Sequence, residues 1–376
     1  MPDALPPELV ALRERAGSLA RETLAPLRDN EDLSAGGRRR GVAAASREAG
    51  LFGLTQPVEV GGQAASALAR TVVRDELGRH GVGHLAGVFG PGPGLLAGVG
   101  EPLRTNYLLP LLAGEKQGGF GFTEPADATH PTSARPHGDD LVVNGRKSYV
   151  TGGADADFIN TLVEVEGRGP AMLLIDTSVG GVEMTRRFDS MDGSHHAAFT
   201  FTDVRVPATH VIGEPGQGMT RALGLVSAVR LAIAADSVGM CRYVIDLVDD
   251  RLQTPGRGGR LPGEGERARM RYGDLRIRVF AARATLYRAA RLVDANQGGD
   301  GDIANECMAA KVVATETVGE VVDEAIQLAG GEALVEGHPL ETVYRRVRVL
   351  RLAEGPTDVL RANVARGALE LGKGRL

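Results

Sequence analysis

Arg345-Arg346-Val347-Arg348-Val349-Leu350-Arg351-Leu352-Ala353-Glu354-Gly355-Pro356-Thr357-Asp358-Val359-Leu360 passes from a basic segment into a Gly-Pro break, then resumes helical spacing through Val364. Glycine permits backbone angles that other residues avoid, and proline withholds the amide that a helix interior needs. The break is therefore expected to be a loop between two helices. It carries a carboxylate, Glu354, at its lip. A carboxylate fixed by two helices can serve as a general base. Taken alone, a glutamate at a helix junction reads most simply as a solvated side chain.

Upstream of this stretch the apolar period is helical over 219–252, 268–296 and 303–329, which together with the short helices around Glu354 predicts a bundle of about four helices. Before it, from about Phe120, the period is two. Strands are expected at 158–165, 171–177, 182–188 and 197–206, and the 141–150 run around Asn144-Gly145 reads as a hairpin. Short strands without intervening helices argue for an antiparallel barrel or sandwich.

The first 114 residues are again helical in pattern, with Leu9, Leu12, Ala16, Leu19, Ala20 and Thr23 on one stripe. Pro26 is expected to end that helix, and helices follow at 43–51, 65–79 and 103–112, with loops at 56–62 and 90–94. The fold class is thus α+β and mostly α. It divides into an N-terminal helical domain (1–117), a middle antiparallel β-barrel domain (118–215) and a C-terminal four-helix bundle (216–376).

The 376 residues are 43% hydrophobic and 24% charged, ordinary for a globular chain with a sizeable core. A net charge of -5 leaves no footprint of nucleic-acid binding, and the Arg38-Arg39-Arg40 run reads as a solvated patch in a Gly-rich loop. Lysine is scarce beside arginine, which reads as a bias of the genome. Cys241 and Cys307 lie in helical patterns without metal-like spacing, consistent with a reduced, cytoplasmic setting. The 1–20 segment lacks the continuous apolar core of a secretory signal, and no uncharged apolar run approaches the roughly 18 residues of a membrane span.

No Gly-rich loop follows a strand and opens a helix, so Rossmann and P-loop readings fail, and no Gly-x-Ser-x-Gly elbow is present. His195-His196 has no third ligand at sensible spacing, and no metal is expected. Five separated segments stand out instead: Gly121-Phe122-Thr123-Glu124-Pro125, Tyr149-Val150-Thr151-Gly152-Gly153, Phe201-Thr202-Asp203-Val204-Arg205-Val206-Pro207, Ala325-Ile326-Gln327-Leu328-Ala329-Gly330-Gly331, and the stretch around Glu354. Each puts amides, hydroxyls or an aromatic ring at the end of an element, where a large cofactor can be gripped.

In this order and spacing they resemble the acyl-CoA dehydrogenase family across nearly the whole chain. The resemblance implies non-covalent FAD held between barrel and bundle, a homodimer or homotetramer, and dehydrogenation of an acyl thioester carried on CoA or an acyl carrier protein. It also implies an electron-transfer flavoprotein or another electron acceptor. By the same resemblance, Phe122, Thr123 and Thr129 line the flavin and its pyrophosphate. Tyr149 takes the place of a tryptophan beside the isoalloxazine, and Thr151 supplies the hydroxyl near N5. Arg251, Gln327 and Gly331 touch the adenosine-pyrophosphate half, and Asp358 contacts the flavin from the last helix. Thr129, Arg230 and Gly355 are expected at the substrate, and Glu354 as the base that takes the α-proton. One branch of the family has its base immediately before the matched arginine, where this chain has Val229.

Three departures mark the chain. Ala126-Asp127-Ala128-Thr129-His130 replaces the usual Gly-Ala-Gly-Ser-Asp, Arg251-Leu252-Gln253-Thr254-Pro255-Gly256 replaces Arg-x-x-Phe-Gly, and Pro356 replaces a common threonine. A flavin-dependent oxidase or monooxygenase on the same fold, and a non-enzymatic paralogue, are the alternatives.

Overall fold

A computed structural model describes residues 4–296 and 303–372; the first three residues of the N-terminal segment lie outside them. The chain forms two compact units. One gathers the residues up to Thr55, 62–90 and everything from Ser227 on, and the other is made of 56–61 and 91–226.

The helical unit opens with α1 (Pro7–Leu19), continues through a π turn (Ala20–Leu24) into α2 (Ala25–Asp29), and adds α3 (Ala35–Glu48) and α4 (Ala67–Arg79). Pro26 does not end the first helix. The Ala25 amide reaches back to the Ala20 carbonyl, and the widened turn admits the proline ring in the first turn of α2. The Arg38-Arg39-Arg40 run is not in a loop either. It lies on α3, which starts eight residues before the predicted 43 because Ser34 caps it, its hydroxyl accepting from the Gly37 amide. Arg38 then donates to the Leu27 and Asn30 carbonyls at the end of α2, where a cation suits the helix dipole.

In the sheet unit a short helix, α5 (Leu109–Ala113), precedes eight strands. These are β1 (Gly118–Gly121), β2 (Ser133–His137), β3 (Asp140–Thr151), β4 (Phe158–Val165), β5 (Gly169–Asp176), β6 (Val182–Asp189), β7 (His195–Pro207) and β8 (Val211–Ile212). Their order is β6-β7-β3-β2-β4-β5-β8, with β1 on β4. The expected closed antiparallel barrel is corrected on two counts. β6 and β8 end the sheet without pairing to each other, and β1/β4 and β2/β4 are parallel. A two-residue β8 and a mostly exposed β6 are edges, too short or too polar to close a barrel.

The predicted hairpin at Asn144-Gly145 is likewise absent, since β3 runs straight through it with a register shift against β7. Asn144 spends its amide on Asp203 instead of on a turn, donating to Oδ1 at 3.0 Å and accepting the Asp203 amide at 2.9 Å. Gly145 is needed because a Cβ there would lie 2.5 Å from Thr132 Cα. The dipeptide therefore specifies a bulge and not a turn. Along β4 and β5, alternate side chains feed two cores. Ile159, Val163, Leu173 and Ile175 face β3 and β7, whereas Phe158, Met172 and Leu174 pack with Leu96, Tyr107 and Leu108.

The remaining helices are α6 (Gly218–Gln253), α7 (Glu266–Ala295), α8 (Ala304–Ala329), α9 (Pro339–Leu350) and α10 (Thr357–Leu371). By length and composition α6 could cross a membrane, but half of its apolar window is buried inside the protein. Leu231 and Val238 of α6 share one cluster with Leu286 of α7 and Ala314 of α8, each large side chain contributing about 1.5–3 kcal/mol of burial. Asp294 of α7 accepts from the Ala67 and Leu68 amides, tying α7 to the start of α4.

Candidate active site

The loop between α9 and α10 is built by two backbone angles. Glu354 has φ 53°, a left-handed conformation uncommon for a residue with a Cβ, and Gly355 has φ 106°. A side chain at 355 would be strained by that angle and would press within 3.0 Å of Leu360 Cδ2. Pro356 then restarts the chain in an extended conformation ahead of α10. Leu360, fully buried with Met308 and Val312 of α8, anchors the far side.

Two cations hold this loop by its carbonyls. Arg230 of α6 donates through Nε to the Glu354 carbonyl at 2.9 Å, and Lys311 of α8 donates through Nζ to the Gly355 carbonyl at 2.9 Å. The Glu354 carboxylate itself receives no hydrogen bond among the described residues, and neither does its backbone amide give one. Burial pushes the Glu354 carboxyl above the ordinary glutamate range, against the pull of Arg230 and Lys311. Burial, joined by Arg230, brings Lys311 down to about 8. Burial also lifts the nearby Cys307 thiol to about 11, so it stays neutral. The result is a half-buried proton acceptor with its charge supported but not neutralised.

Lys311 was not among the nominated residues. It is fully buried in the apolar run Met308-Ala309-Ala310-Lys311-Val312-Val313-Ala314. A lone lysine in such a run, in a chain with only four lysines among 43 basic residues, was the available signal. Asp358 is exposed on the first turn of α10 and pairs with Arg361. Arg251 is exposed on the last turn of α6. Gln327 and Gly331 are exposed at the end of α8 and just past Gly330. Leu252, Ala325 and Ala333 belong to one buried cluster, so these helix ends share a core.

The other nominated residues lie in the sheet unit. Phe122 and Thr123 leave β1, and a buried pair fixes them from behind. Lys147 of β3, 2% exposed, donates to Glu124 Oε1 at 2.9 Å and to the Phe122 carbonyl at 3.3 Å. Glu124 also accepts the Thr132 amide at 2.7 Å. Burial works against the Glu124 carboxylate, yet the Thr132 amide and Lys147 outweigh it and hold the carboxyl below its usual range. Thr129 is exposed in the turn beyond. Tyr149 has φ 54° and stands 64% exposed, its ring edge-on to Phe188 at 5.3 Å. Thr151, two residues on, is exposed as well. His196 stacks on Phe188 and His195 faces Asp155, and among the described residues no group of His, Cys, Asp or Glu is arranged to hold a metal.

Exposed hydroxyls at Thr123 and Thr151 beside an exposed Tyr149 ring, backed by a Lys147–Glu124 pair of no net charge, make a donor set that fits a neutral, flat ring system with a hydrogen-bonding edge. An isoalloxazine is such a ring. Tyr149 and Glu354 are also two of the four residues other than glycine with positive φ among the described residues, and such backbone strain gathers at functional sites.

Known proteins resemble this chain over nearly its whole length. The chain matches the acyl-CoA dehydrogenase N-terminal domain over residues 6–115, the middle domain over 115–204 and the C-terminal domain over 216–369. A 3-(aryl)acrylate reductase of Clostridium sporogenes is 26% identical over 375 residues, covering 96% of this chain and 98% of that protein. The caffeyl-CoA reductase-Etf complex subunit CarC of Acetobacterium woodii is 26% identical, covering 82% and 84%. Among solved structures, that of a probable acyl CoA dehydrogenase from Mycobacterium abscessus aligns with a TM-score of 0.83 at 29% identity, over 96% of this chain and 99% of that one.

Proposed function

The chain belongs to the acyl-CoA dehydrogenase family, FAD-dependent flavoprotein oxidoreductases of acyl-CoA, and on that premise we propose that it desaturates an acyl thioester between Cα and Cβ with Glu354 as the base. Bound FAD would supply the acceptor for the β-hydrogen and its electron pair. The Glu354 carboxylate takes the α-proton, and the electron pair left at Cα closes the double bond. One observation carries this reading: Glu354 offers a carboxylate and a backbone amide without hydrogen bonds among the described residues, both from the same half-buried residue. The amide can donate to the thioester carbonyl, which acidifies the carbon whose proton the carboxylate removes. Gly355, whose φ of 106° favours glycine, is assigned to the substrate side of the loop. Arg230, through the Glu354 carbonyl, holds the residue in its left-handed conformation.

Phe122, Thr123, Tyr149 and Thr151 are assigned to the flavin ring, Thr129 to the pyrophosphate and the substrate side, and Asp358 to the flavin from α10. Arg251, Gln327 and Gly331 are assigned to the adenosine-pyrophosphate end. An electron-transfer flavoprotein as acceptor is supported by the Etf complex of the Acetobacterium woodii relative. Self-association as a dimer or tetramer belongs to the same reading, supported by Met270, Ile277 and Phe280 exposed on α7. The three domain boundaries, 1–117, 118–215 and 216–376, are retained as the proposed division.

The test is anaerobic bleaching of the yellow holoenzyme by a panel of acyl-CoAs and carrier-loaded acyl groups. Glu354→Gln is expected to keep the flavin and lose bleaching by about a thousandfold. A variant that bleaches at the wild-type rate would remove Glu354 from the chemistry. The two reductases among the relatives favour a second reading, catalysis in the opposite direction. Faster reoxidation of the reduced flavin by a 2-enoyl or aryl-acrylyl thioester than bleaching by the saturated one would select it.

A further inference from the structure

Lys311 is fully exposed to neither water nor a carboxylate partner: it sits at 0% exposure in the middle of α8, where an ammonium is costly to bury. An ion pair would offset that cost, yet its only hydrogen-bond partner among the described residues is a neutral carbonyl, that of Gly355. Thr315 bonds the Lys311 carbonyl and not the ammonium. A methionine would fill the same volume without a desolvated charge, so packing alone does not account for a lysine here. The place of its one bond does. Arg230 fixes the peptide between Glu354 and Gly355, and Lys311 fixes the next one, between Gly355 and Pro356. Gly355 is the most permissive residue of the loop, and the two cations clamp it from both sides.

We propose that Lys311 is a positioning residue for the Glu354 base, clamping the Gly355 carbonyl so that the loop holds its left-handed turn while the ammonium's charge keeps the half-buried carboxylate ionised. This rests on the reading of Glu354 as the base. The charged groups around Lys311 define its setting. From α6 comes Arg230, from the loop Glu354, and from its own helix Glu316, which Arg361 of α10 already pairs. Arg361 also meets Asp358 on α10. Arg351, past the end of α9, packs against Gly319 a little more than two turns along α8, and the Cys307 thiol is neutral. Glu354 is thus the carboxylate that gains most from the Lys311 charge. With Lys311 lowered to about 8, that support is full well below pH 8 and is lost as pH rises through it.

The experiment compares wild-type, Lys311→Met and Lys311→Gln holoenzymes by the pH profile of kcat/KM and by infrared titration of the Glu354 carboxyl, with Glu354→Gln as the blank. Lys311→Met is expected to move the acid limb and the carboxyl titration upward together by about one pH unit, and to lower kcat at neutral pH by at least about tenfold. Lys311→Gln keeps a donor for the Gly355 carbonyl without the charge. It is expected to show the same titration shift and to recover most of kcat at high pH. A folded, yellow Lys311→Met with both titrations unmoved overturns the proposal. If the methionine variant does not fold, an unmoved carboxyl titration in Lys311→Gln overturns it equally. The carboxyl titration needs no turnover, so it separates this proposal from that of the base. Wild-type bleaching by Glu354→Gln would sink the role of Glu354, whereas an unmoved infrared titration sinks that of Lys311.

Discussion

Two buried lysines stand behind two glutamates in this protein, and they treat them in opposite ways. In the sheet unit, Lys147 bonds the Glu124 carboxylate directly, and the carboxyl is held below its ordinary range. In the helical unit, Lys311 and Arg230 bond backbone carbonyls beside Glu354, leave the carboxylate unbonded, and burial raises it. The chemistry of the parts is the same, a buried cation near a glutamate on a Glu-Pro or Glu-Gly-Pro turn. What differs is where the cation's hydrogen bond goes. Spent on the carboxylate, it makes a structural ion pair whose acid has lost its basicity. Spent on the neighbouring carbonyl, it fixes the backbone and leaves the acid able to titrate.

The largest expected effect separates the two acids by function. Glu354→Gln should lower the rate of flavin reduction by about a thousandfold, while Glu124→Gln leaves the rate per bound flavin little changed. Comparable losses in both variants would erase the distinction. Next comes stability. Glu124→Gln leaves a buried Lys147 cation without its counter-charge and should cost about 3 kcal/mol in urea unfolding, at the low end for a broken pair because Glu124 is partly exposed. Lys311→Met removes a buried cation that had no carboxylate bond, and its unfolding midpoint should match or exceed that of the wild type. If Lys311→Met proves the more destabilised of the two, the roles of the lysines are reversed.

A smaller effect follows from pH. The Glu354 carboxyl is raised in the fold, so the folded protein keeps that proton at pH values where the unfolded chain has released it. Stability from this group is complete below about pH 4.5, the ordinary glutamate value, and is lost as pH rises through the folded value. Glu354→Gln removes that loss, and its Tm advantage over the wild type should grow upward from about pH 4.5. Parallel Tm curves would show that burial does not perturb the group. Smallest of all, Tyr149→Ala should cost about 0.5 kcal/mol, the worth of an exposed ring pair with Phe188, while changing the flavin spectrum. A variant with an unaltered flavin spectrum would place Tyr149 away from the ring.

Much of this was legible in the order of residues. The strand at Phe158–Val165 and the long helices are written in local periodicity, because alternation and 3.6-residue spacing are properties of neighbours. Glu354 on its Gly-Pro break was visible there too, but its reading as a base came from the family resemblance and not from these residues alone. Asn144-Gly145 reads as a turn until Asp203, 59 residues away, takes the asparagine side chain. Pro26 reads as a stop until a π turn makes room for its ring. Arg38 reads as loop until the carbonyls of Leu27 and Asn30 are seen to need a donor. Only Asp203 lies far along the chain; the π turn at Ala20–Leu24 and the Ser34 cap of α3 are local devices without a strong periodic signature.

The sequence by itself determined the succession of elements, since periodicity, capping and the steric demands of glycine and proline act within a few residues, while the family was legible only through the resemblance of five separated segments taken in order. Tertiary structure decided the rest. It left the sheet open and not closed into a barrel, because β6 and β8 are too polar or too short to meet. It brought Arg230 and Lys311, 124 and 44 residues from their acceptors, onto consecutive carbonyls of one loop. It also half-buried Glu354 beside those two cations. A pKa is set by solvation and by charges in space, and neither is recorded in the spacing of residues along a chain.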